Sequence, residues 1–213
     1  MEQLKGVVPP KQQRSRETVA RILRAAEDLV ADRAFRDITV QDICISADVS
    51  PSSFYARFPT KEDVLLALFD LHSQEARADA TAAIGEVVER SGTVDEVVRA
   101  LLGAYLRFVR RNGQVMTSIF SEPALVERYM ALGSEITGDL GRVLGALFGA
   151  DDRQFLVRAE FAARLAAAGI QRAIGVPTHF GERMGLDDEQ LLDELTSMLT
   201  PYLRAAAESP SRD

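Results

Sequence analysis

The sequence contains no tryptophan, a single cysteine and only two histidines among its 213 residues. The lone cysteine, Cys44, has no partner for an internal disulfide, which is typical of a protein from a reducing compartment. The two histidines, His72 and His179, lie far apart in the sequence, and neither belongs to a known spacing of metal ligands. We therefore expect no disulfide framework, no metal site and no cofactor.

Long apolar runs are also missing. No stretch is apolar over the roughly 18 residues that a membrane-spanning helix needs. The first 16 residues lack the apolar segment of a secretory signal peptide. With 46% hydrophobic and 27% charged residues, the composition is that of a soluble globular protein. The sequence predicts a cytoplasmic protein with no membrane partner.

Patterns typical of catalytic sites are absent as well. The glycine-rich stretch 138–149 lacks the Gly-Lys-Ser/Thr ending of a phosphate-binding loop and follows no predicted strand. Cys44 falls on the inward face of a predicted helix, where a thiol is buried and unreactive. The sequence therefore predicts a protein that is not an enzyme.

Charge is unevenly distributed along this acidic chain, whose formal net charge is −7. Residues 1–61 contain ten lysines and arginines against eight acidic residues, a net charge of +2, and the remaining residues carry −9. An excess of basic residues at one end indicates a polyanionic partner for that end alone.

Alternating strand patterns are nearly absent, whereas apolar residues recur at helical spacing along most of the chain. The sequence predicts an all-α fold with helices beginning near residues 17, 39, 50, 60, 93, 123, 151 and 188. Asn112 and Gly113 are predicted to end the fifth helix, with a separate short helix over 114–121. Residues 123–149 form one or two helices, and residues 175–187 form a loop.

The stretch SPSSFYARFPTK, residues 50–61, has the features of a helix that meets a ligand. Ser50 is a suitable N-cap, and Pro51 suits the first helical position. Together with the preceding short helix from Thr39, it has the layout of a helix-turn-helix, whose second helix enters the DNA major groove. The spacing alone also fits two short helices packed in an ordinary helical protein.

A specific resemblance extends from Ile22 to Leu68, about 47 of the 213 residues. The residues that carry it are Ile22-Leu23, Ala25-Ala26, Thr39-Val40, Ile43, Ala47, Val49-Ser50, Phe54-Tyr55, Phe58 and Thr60-Lys61-Glu62. This ordered set resembles the DNA-binding domain of the TetR family of bacterial transcriptional regulators. Asp48 and Ala34 depart from the pattern, since the family usually has glycine at both positions.

The resemblance implies an all-α protein with an N-terminal three-helix helix-turn-helix domain and a larger helical domain for ligand binding and dimerisation. The expected segments are a basic arm (1–16), a DNA-binding domain (17–61), the helical domain (62–207) and a tail (208–213). In the family, the positions of Thr39, Tyr55 and Lys61 contact phosphates, and those of Pro51, Ser52 and Ser53 face bases. The residues expected to bind DNA are Thr39, Ser50, Pro51, Ser52, Ser53, Tyr55, Arg57 and Lys61, with Arg14 and Arg16 from the arm. The arm residues also fit a solvated charged tail.

The resemblance further implies a homodimer that binds a pseudo-palindromic DNA operator and responds to a small apolar effector. Small residues on the helix over 155–174 and leucines on the last helix suit a helix–helix interface. The residues expected there are Ala159, Ala163, Ala166, Ile170, Leu192, Leu195 and Leu199; a core helix within one chain is the alternative. An effector pocket is expected to include His72, Tyr105, Phe108, Met116, Phe120, Tyr129 and Phe161, although ordinary core packing would also explain each of them.

The predicted function is therefore that of a sequence-specific transcriptional regulator, a repressor released from its operator by a small molecule. Two alternatives stay open at this stage. One is a constitutive DNA-binding regulator without an effector. The other is a small-molecule-binding helical protein whose DNA-binding domain is vestigial.

Overall fold

The computed structural model describes residues 13–150, 152–174 and 185–208, with side chains for all of these except residues 13, 14, 124 and 132–141. Within these ranges every regular element is helical, which confirms the all-α prediction. The elements are α1 (Gln13–Asp32), a 3-10 helix (Phe35–Asp37), α2 (Val40–Ala47), α3 (Pro51–Tyr55), α4 (Lys61–Glu89), α5 (Val94–Phe120), α6 (Pro123–Phe148), α7 (Arg153–Ala173) and α8 (Asp188–Glu208). None of the described helices combines the length and the apolar character needed to cross a membrane.

The chain divides into two compact units. The N-terminal unit extends to Gln74 and also takes in Asn112–Tyr129, and the C-terminal unit comprises Glu75–Arg111 and the residues from Met130 onward. The division therefore falls inside α4, later than the boundary expected after Lys61. It also assigns the end of α5 and the beginning of α6 to the unit that carries the helix-turn-helix.

The core of the N-terminal unit is built from the apolar faces of its first four helices. Ile22 of α1, Ile43 of α2 and Phe54 of α3 are fully buried, as are Phe58 and Leu65 farther along the chain. Helix α2 buries Ile43, Cys44 and Ala47 and packs against both α1 and α3. This packing fixes α3 even though five residues are too few to hold a helix by themselves.

Helix α5 runs through the position where a stop was predicted. Asn112 and Gly113 lie inside it, and a glycine within a helix costs about 1 kcal/mol relative to alanine. Val109, Met116 and Ile119 are fully buried on either side of that point, so the apolar face continues at helical spacing. Burial of this face outweighs the glycine penalty, and the separate helix predicted over 114–121 is wrong.

Helix bounds elsewhere differ less from expectation. Helix α1 begins at Gln13, four residues before the predicted start, and α6 is a single helix. Asp152 caps α7 by accepting hydrogen bonds from the amides of Gln154 and Phe155, at 2.8 and 3.0 Å. Asp151, the predicted cap, lies outside the described residues, as does most of the predicted loop.

The C-terminal unit is organised around the pairing of α7 with α8. A Cβ built at Gly169 would lie 3.7 Å from a methyl group of Leu195, which is an ordinary van der Waals contact between the two helices. Arg110 of α5 holds the beginning of α8 through two hydrogen bonds to the carboxylate of Asp188. These bonds raise the pKa of Arg110 and lower the pKa of Asp188, so both groups stay charged over the ordinary pH range.

Candidate nucleic-acid interface

Helix α2 begins with two reciprocal hydrogen bonds. The hydroxyl of Thr39 accepts from the Asp42 amide at 3.1 Å, and the Asp42 carboxylate accepts from the Thr39 amide at 2.8 Å. These bonds satisfy amides that have no partner within the helix. The bond from the Thr39 backbone, followed by that from its hydroxyl, lowers the pKa of Asp42. Thr39 is thereby fixed at an exposed helix N-terminus.

Ser50 is the N-cap of helix α3, and its hydroxyl accepts a hydrogen bond of 3.2 Å from the amide of Ser53. Pro51 occupies the first helical position, where its missing N–H costs nothing. The Ser52 hydroxyl lies 3.0 Å from that of Ser50, and both side chains are exposed. Short polar groups at a helix N-terminus can approach a phosphate or a base edge without steric conflict.

The predicted DNA-binding residues of α2 and α3 thus form a largely exposed surface. Tyr55 lies at its edge with 54% of its surface exposed, and its ring packs edge-on against the buried ring of Phe54. We define the recognition face as the exposed residues of this surface: Thr39, Gln41, Ile45, Ser50, Pro51, Ser52 and Tyr55.

Two members of the recognition face were missed by the sequence analysis. Gln41 and Ile45, one turn apart on α2, line a groove of about 780 Å³ together with Ser50, Pro51 and Tyr55. Ile45 is 72% exposed, although Ile43, Cys44 and Ala47 of the same helix are buried. Helical spacing could have predicted the exposure of Gln41 and Ile45, because positions 41 and 45 fall opposite Ile43 and Ala47 on the helix.

Arg57 was predicted to point outward, but the structure turns it back onto α3. Its Nη1 donates to the carbonyl of Ser53 at 2.7 Å and to the Ser53 hydroxyl at 2.9 Å. The side chain is half-buried, and its Nε has no hydrogen-bond partner. Because Arg57 and Ser53 are hydrogen-bonded to each other, they present less polar surface to a ligand than expected.

Lys61 is also engaged within the protein. Its Nζ donates to the backbone carbonyls of Phe35 and Ile38, at 3.1 and 2.9 Å, and approaches that of Arg36 at 3.4 Å. The same ammonium lies 4.6 Å from the centre of the Phe35 ring. In this arrangement the Lys61 ammonium is bound to backbone carbonyls of the protein, so it is not positioned for the phosphate contact that the resemblance implies.

The two basic residues assigned to the arm lie on the first turn of α1. Arg16 is exposed, and the side chain of Arg14 falls outside the described residues.

The residues predicted to line an effector pocket are divided between the two units. His72, Met116 and Tyr129 are buried in the N-terminal unit, and Phe120 packs with its ring centre 5.0 Å from that of Tyr129. Nε2 of His72 lies 3.3 Å from the Glu27 carboxylate, and its Nδ1 has no hydrogen-bond partner.

In the C-terminal unit, the Tyr105 hydroxyl accepts a hydrogen bond of 2.7 Å from Gln171, and Phe108 is buried. Phe161 is different, because 57% of its surface is exposed. Its surroundings are those of an outward-facing residue, which argues against the pocket role predicted for it.

Most residues predicted at a dimer interface are buried inside one chain. They are Ala159, Ala166, Ile170, Leu192, Leu195 and Leu199, with Ala163 half-buried beside them. Burial within their own chain accounts for these side chains without a partner. The exposed apolar side chains of these helices belong to a neighbouring face, formed by Val157, Phe161, Leu165, Met198 and Tyr202.

No group of three or more potential metal ligands occurs in the described parts of the chain. Cys44 is buried, and burial raises the pKa of its thiol. A thiol of raised pKa is mostly protonated near neutral pH, and only the thiolate is an effective nucleophile.

Comparison with known proteins shows what this arrangement is similar to. Residues 22–68 match the family of bacterial regulatory proteins described as the tetR family. The chain is 49% identical over 49 residues to the HTH-type transcriptional regulator EthR of Mycobacterium tuberculosis, a match that covers 23% of each chain. It is 27% identical over 158 residues to the regulator TcmR of Streptomyces glaucescens, covering 66% of this chain and 65% of TcmR.

A solved structure extends the likeness in fold. The repressor FadR of Thermus thermophilus superposes with a TM-score of 0.61, covering 92% of this chain and 97% of that one at 23% identity. The matched stretch of sequence spans under a quarter of EthR and just under two thirds of TcmR. The helix-turn-helix region of the chain is therefore similar to the DNA-binding part of the tetR family of bacterial regulatory proteins, and the fold is shared with FadR along most of the chain.

Proposed function

We propose that the protein is a dimeric transcriptional repressor that binds an inverted-repeat DNA operator through the recognition face and releases it when a small apolar molecule binds. The DNA-binding part of this proposal rests on the exposed N-terminus of α3, which is supported by fully buried side chains. Ser50, Pro51 and Ser52 are exposed, whereas Phe54 and Phe58 are fully buried beneath them. Burial of these aromatic side chains fixes the backbone of α3 and with it the positions of the exposed serines.

The recognition face supports two kinds of contact. The hydroxyls of Tyr55 and Thr39 suit the phosphate backbone, since hydroxyls are common phosphate partners. Ser52 and Gln41 suit base edges, because short hydroxyls and amides bond donors and acceptors in the major groove. Ile45 and Pro51 offer apolar surface that suits the methyl group of thymine.

Dimerisation is proposed to use the exposed apolar face of α7 and α8. Val157, Phe161 and Leu165 recur every four residues on α7, and Met198 and Tyr202 are one turn apart on α8. The ring centres of Phe161 and Tyr202 lie 6.2 Å apart, so the two helices contribute to one surface. Exposed apolar surface of this kind favours self-association, and a two-fold axis through it would give the symmetry of an inverted repeat.

The effector part of the proposal has separate support. FadR, which shares the fold, was solved in complex with lauroyl-CoA. Aromatic side chains pack together in the N-terminal unit, where the ring centre of Tyr129 lies 4.9 Å from that of Phe69 and 5.0 Å from that of Phe120. An apolar ligand would be accommodated by such side chains. It would release DNA only to the extent that it binds the non-binding conformation more tightly.

Selection from a pool of random duplexes tests the DNA-binding proposal. We expect enrichment of an inverted repeat whose half-sites are centred about one helical turn, roughly 34–36 Å, apart. Enrichment of a single half-site would exclude the dimeric mode, and absence of enrichment at any salt concentration would exclude the function. Titration of the selected complex with fatty acids, acyl-CoA esters and aromatic compounds then tests release, and a complex that none of these weakens would indicate a constitutive regulator.

A further inference from the structure

The ammonium of Lys61 lies among the backbone carbonyls that lead into α2. It has three protons, and the three nearest acceptors are the carbonyls of Phe35, Arg36 and Ile38, at 3.1, 3.4 and 2.9 Å. The face of the Phe35 ring, 4.6 Å from Nζ, adds a cation–π contact. Every proton of this ammonium therefore has a partner within the protein.

These carbonyls lie in the segment that immediately precedes helix α2. They belong to the 3-10 helix and to Ile38, the residue immediately before the N-cap Thr39. The side chains of Phe35 and Ile38 are buried, so the backbone there is fixed on one side by the core. Lys61 fixes it on the other side and thereby sets the position of the α2 N-terminus.

Lys61 itself is held firmly at the beginning of α4. The neighbouring Asp63 accepts hydrogen bonds from the amide and hydroxyl of Thr60, at 3.0 and 2.7 Å. Arg128 of α6 donates to the other oxygen of Asp63 at 2.8 Å. The first turn of α4 is consequently anchored before the lysine side chain reaches across to the 3-10 helix.

We propose that Lys61 is a positioning residue that holds Thr39 and the N-terminus of α2 in the DNA-binding arrangement, and that it makes no phosphate contact of its own. This inference rests on the proposed DNA-binding function and departs from the role that the family resemblance implies for this position. A phosphate contact would require the ammonium to leave its carbonyl partners. Those carbonyls are partly buried and would then lose their charged donor.

The test compares Lys61→Met and Lys61→Arg with the wild-type protein in binding to the selected duplex across a range of salt concentrations. Methionine keeps an unbranched chain against Phe35 and removes the donors, whereas arginine restores donors to the carbonyls. Loss of a phosphate contact lowers the slope of log affinity against log salt by about 0.9 for each contact. Arg36→Met is the matched control, because it removes an exposed positive charge from the same 3-10 helix.

We expect Lys61→Met to bind at least tenfold more weakly at every salt concentration, with the slope of the wild-type protein, and Lys61→Arg to recover most of the affinity. A slope lowered by about 0.9 per protomer in Lys61→Met would identify a phosphate contact and overturn the proposal. Unchanged affinity of the folded variant, with only a lower melting temperature, would show that Lys61 serves stability alone. A wild-type protein that binds no duplex would refute the proposed function itself, and this inference with it.

Discussion

Arg21 of α1 donates a hydrogen bond of 3.0 Å from Nη1 to the backbone carbonyl of Asp48, in the turn between α2 and α3. The same nitrogen lies 3.7 Å from the Asp48 carboxylate, whose side chain is fully exposed. Asp48 has a left-handed backbone with φ of +51°, a conformation that aspartate tolerates better than most residues. Arg21 therefore ties α1 to the turn and partly offsets a negative charge beside the recognition face.

The first prediction concerns the negative charge of Asp48. Asp48→Asn removes the carboxylate and keeps a residue that accepts the left-handed conformation. We expect severalfold tighter binding to every duplex, because one negative charge per protomer is removed near a polyanion. The gain should shrink as salt is raised, since screening weakens exposed charges. Anisotropy titrations measure it, and unchanged affinity at low salt would place this carboxylate away from DNA.

The backbone of Asp48 makes the second prediction. Asp48→Ala keeps a Cβ in the left-handed region and removes the polar side chain that can bond locally, so we expect a loss of about 1 kcal/mol in the free energy of unfolding. Asp48→Asn should stay within about 0.5 kcal/mol of the wild-type protein, as is usual for exposed substitutions. Urea denaturation measures both variants. Equal stability of the two would show that the turn adopts another backbone conformation in solution.

The Asp42 cap makes a pH-dependent prediction. The pKa of Asp42 is lower in the folded chain than its ordinary value near 3.8, so the ionised carboxylate stabilises the fold above that value. This stabilisation is lost as the pH falls through the lowered pKa. We expect Asp42→Asn to lose stability at neutral pH and to show a shallower decline in the free energy of unfolding between about pH 5 and pH 2. Asp37→Asn, an exposed aspartate nearby, serves as the control, and identical pH profiles of the two variants would exclude the cap.

The exposed face of α7 and α8 makes a prediction about assembly. Phe161→Glu places a charge in the proposed dimer interface, and we expect monomers at concentrations where the wild-type protein is dimeric. Val88→Glu is the matched control, because Val88 of α4 is exposed to nearly the same degree, 58% against 57%. Sedimentation equilibrium measures the association of both variants. A dimer that survives Phe161→Glu would place the interface elsewhere.

Much of the N-terminal unit could be predicted because its signals are local. The N-cap roles of Thr39 and Ser50 follow from residue type and position, and the burial of Phe54 and Phe58 follows from helical spacing. The engagement of Lys61 could not be predicted in the same way. Its partners are backbone carbonyls 23 to 26 positions earlier, and carbonyls leave no mark in a sequence.

The C-terminal unit was less predictable because its sequence patterns were ambiguous. Apolar residues on α7 and α8 occupy two faces, and only packing decides which one is buried. Ala159 and Ile170 are on the face that pairs within the chain, and Phe161 is on the face left exposed. The stop predicted at Gly113 failed for a similar reason, since burial of Met116 and Ile119 sustains α5 beyond it.

The account depends most on the claim that the recognition face binds duplex DNA. Ser52 is exposed at the N-terminus of α3, so Ser52→Glu adds a negative charge to this face without disturbing the core. The decisive measurement is the affinity of this variant for the selected duplex, with Val88→Glu as the control for an added surface charge. The account predicts at least a hundredfold loss for Ser52→Glu at an unchanged melting temperature, and wild-type affinity for Val88→Glu. Wild-type affinity in Ser52→Glu would contradict it.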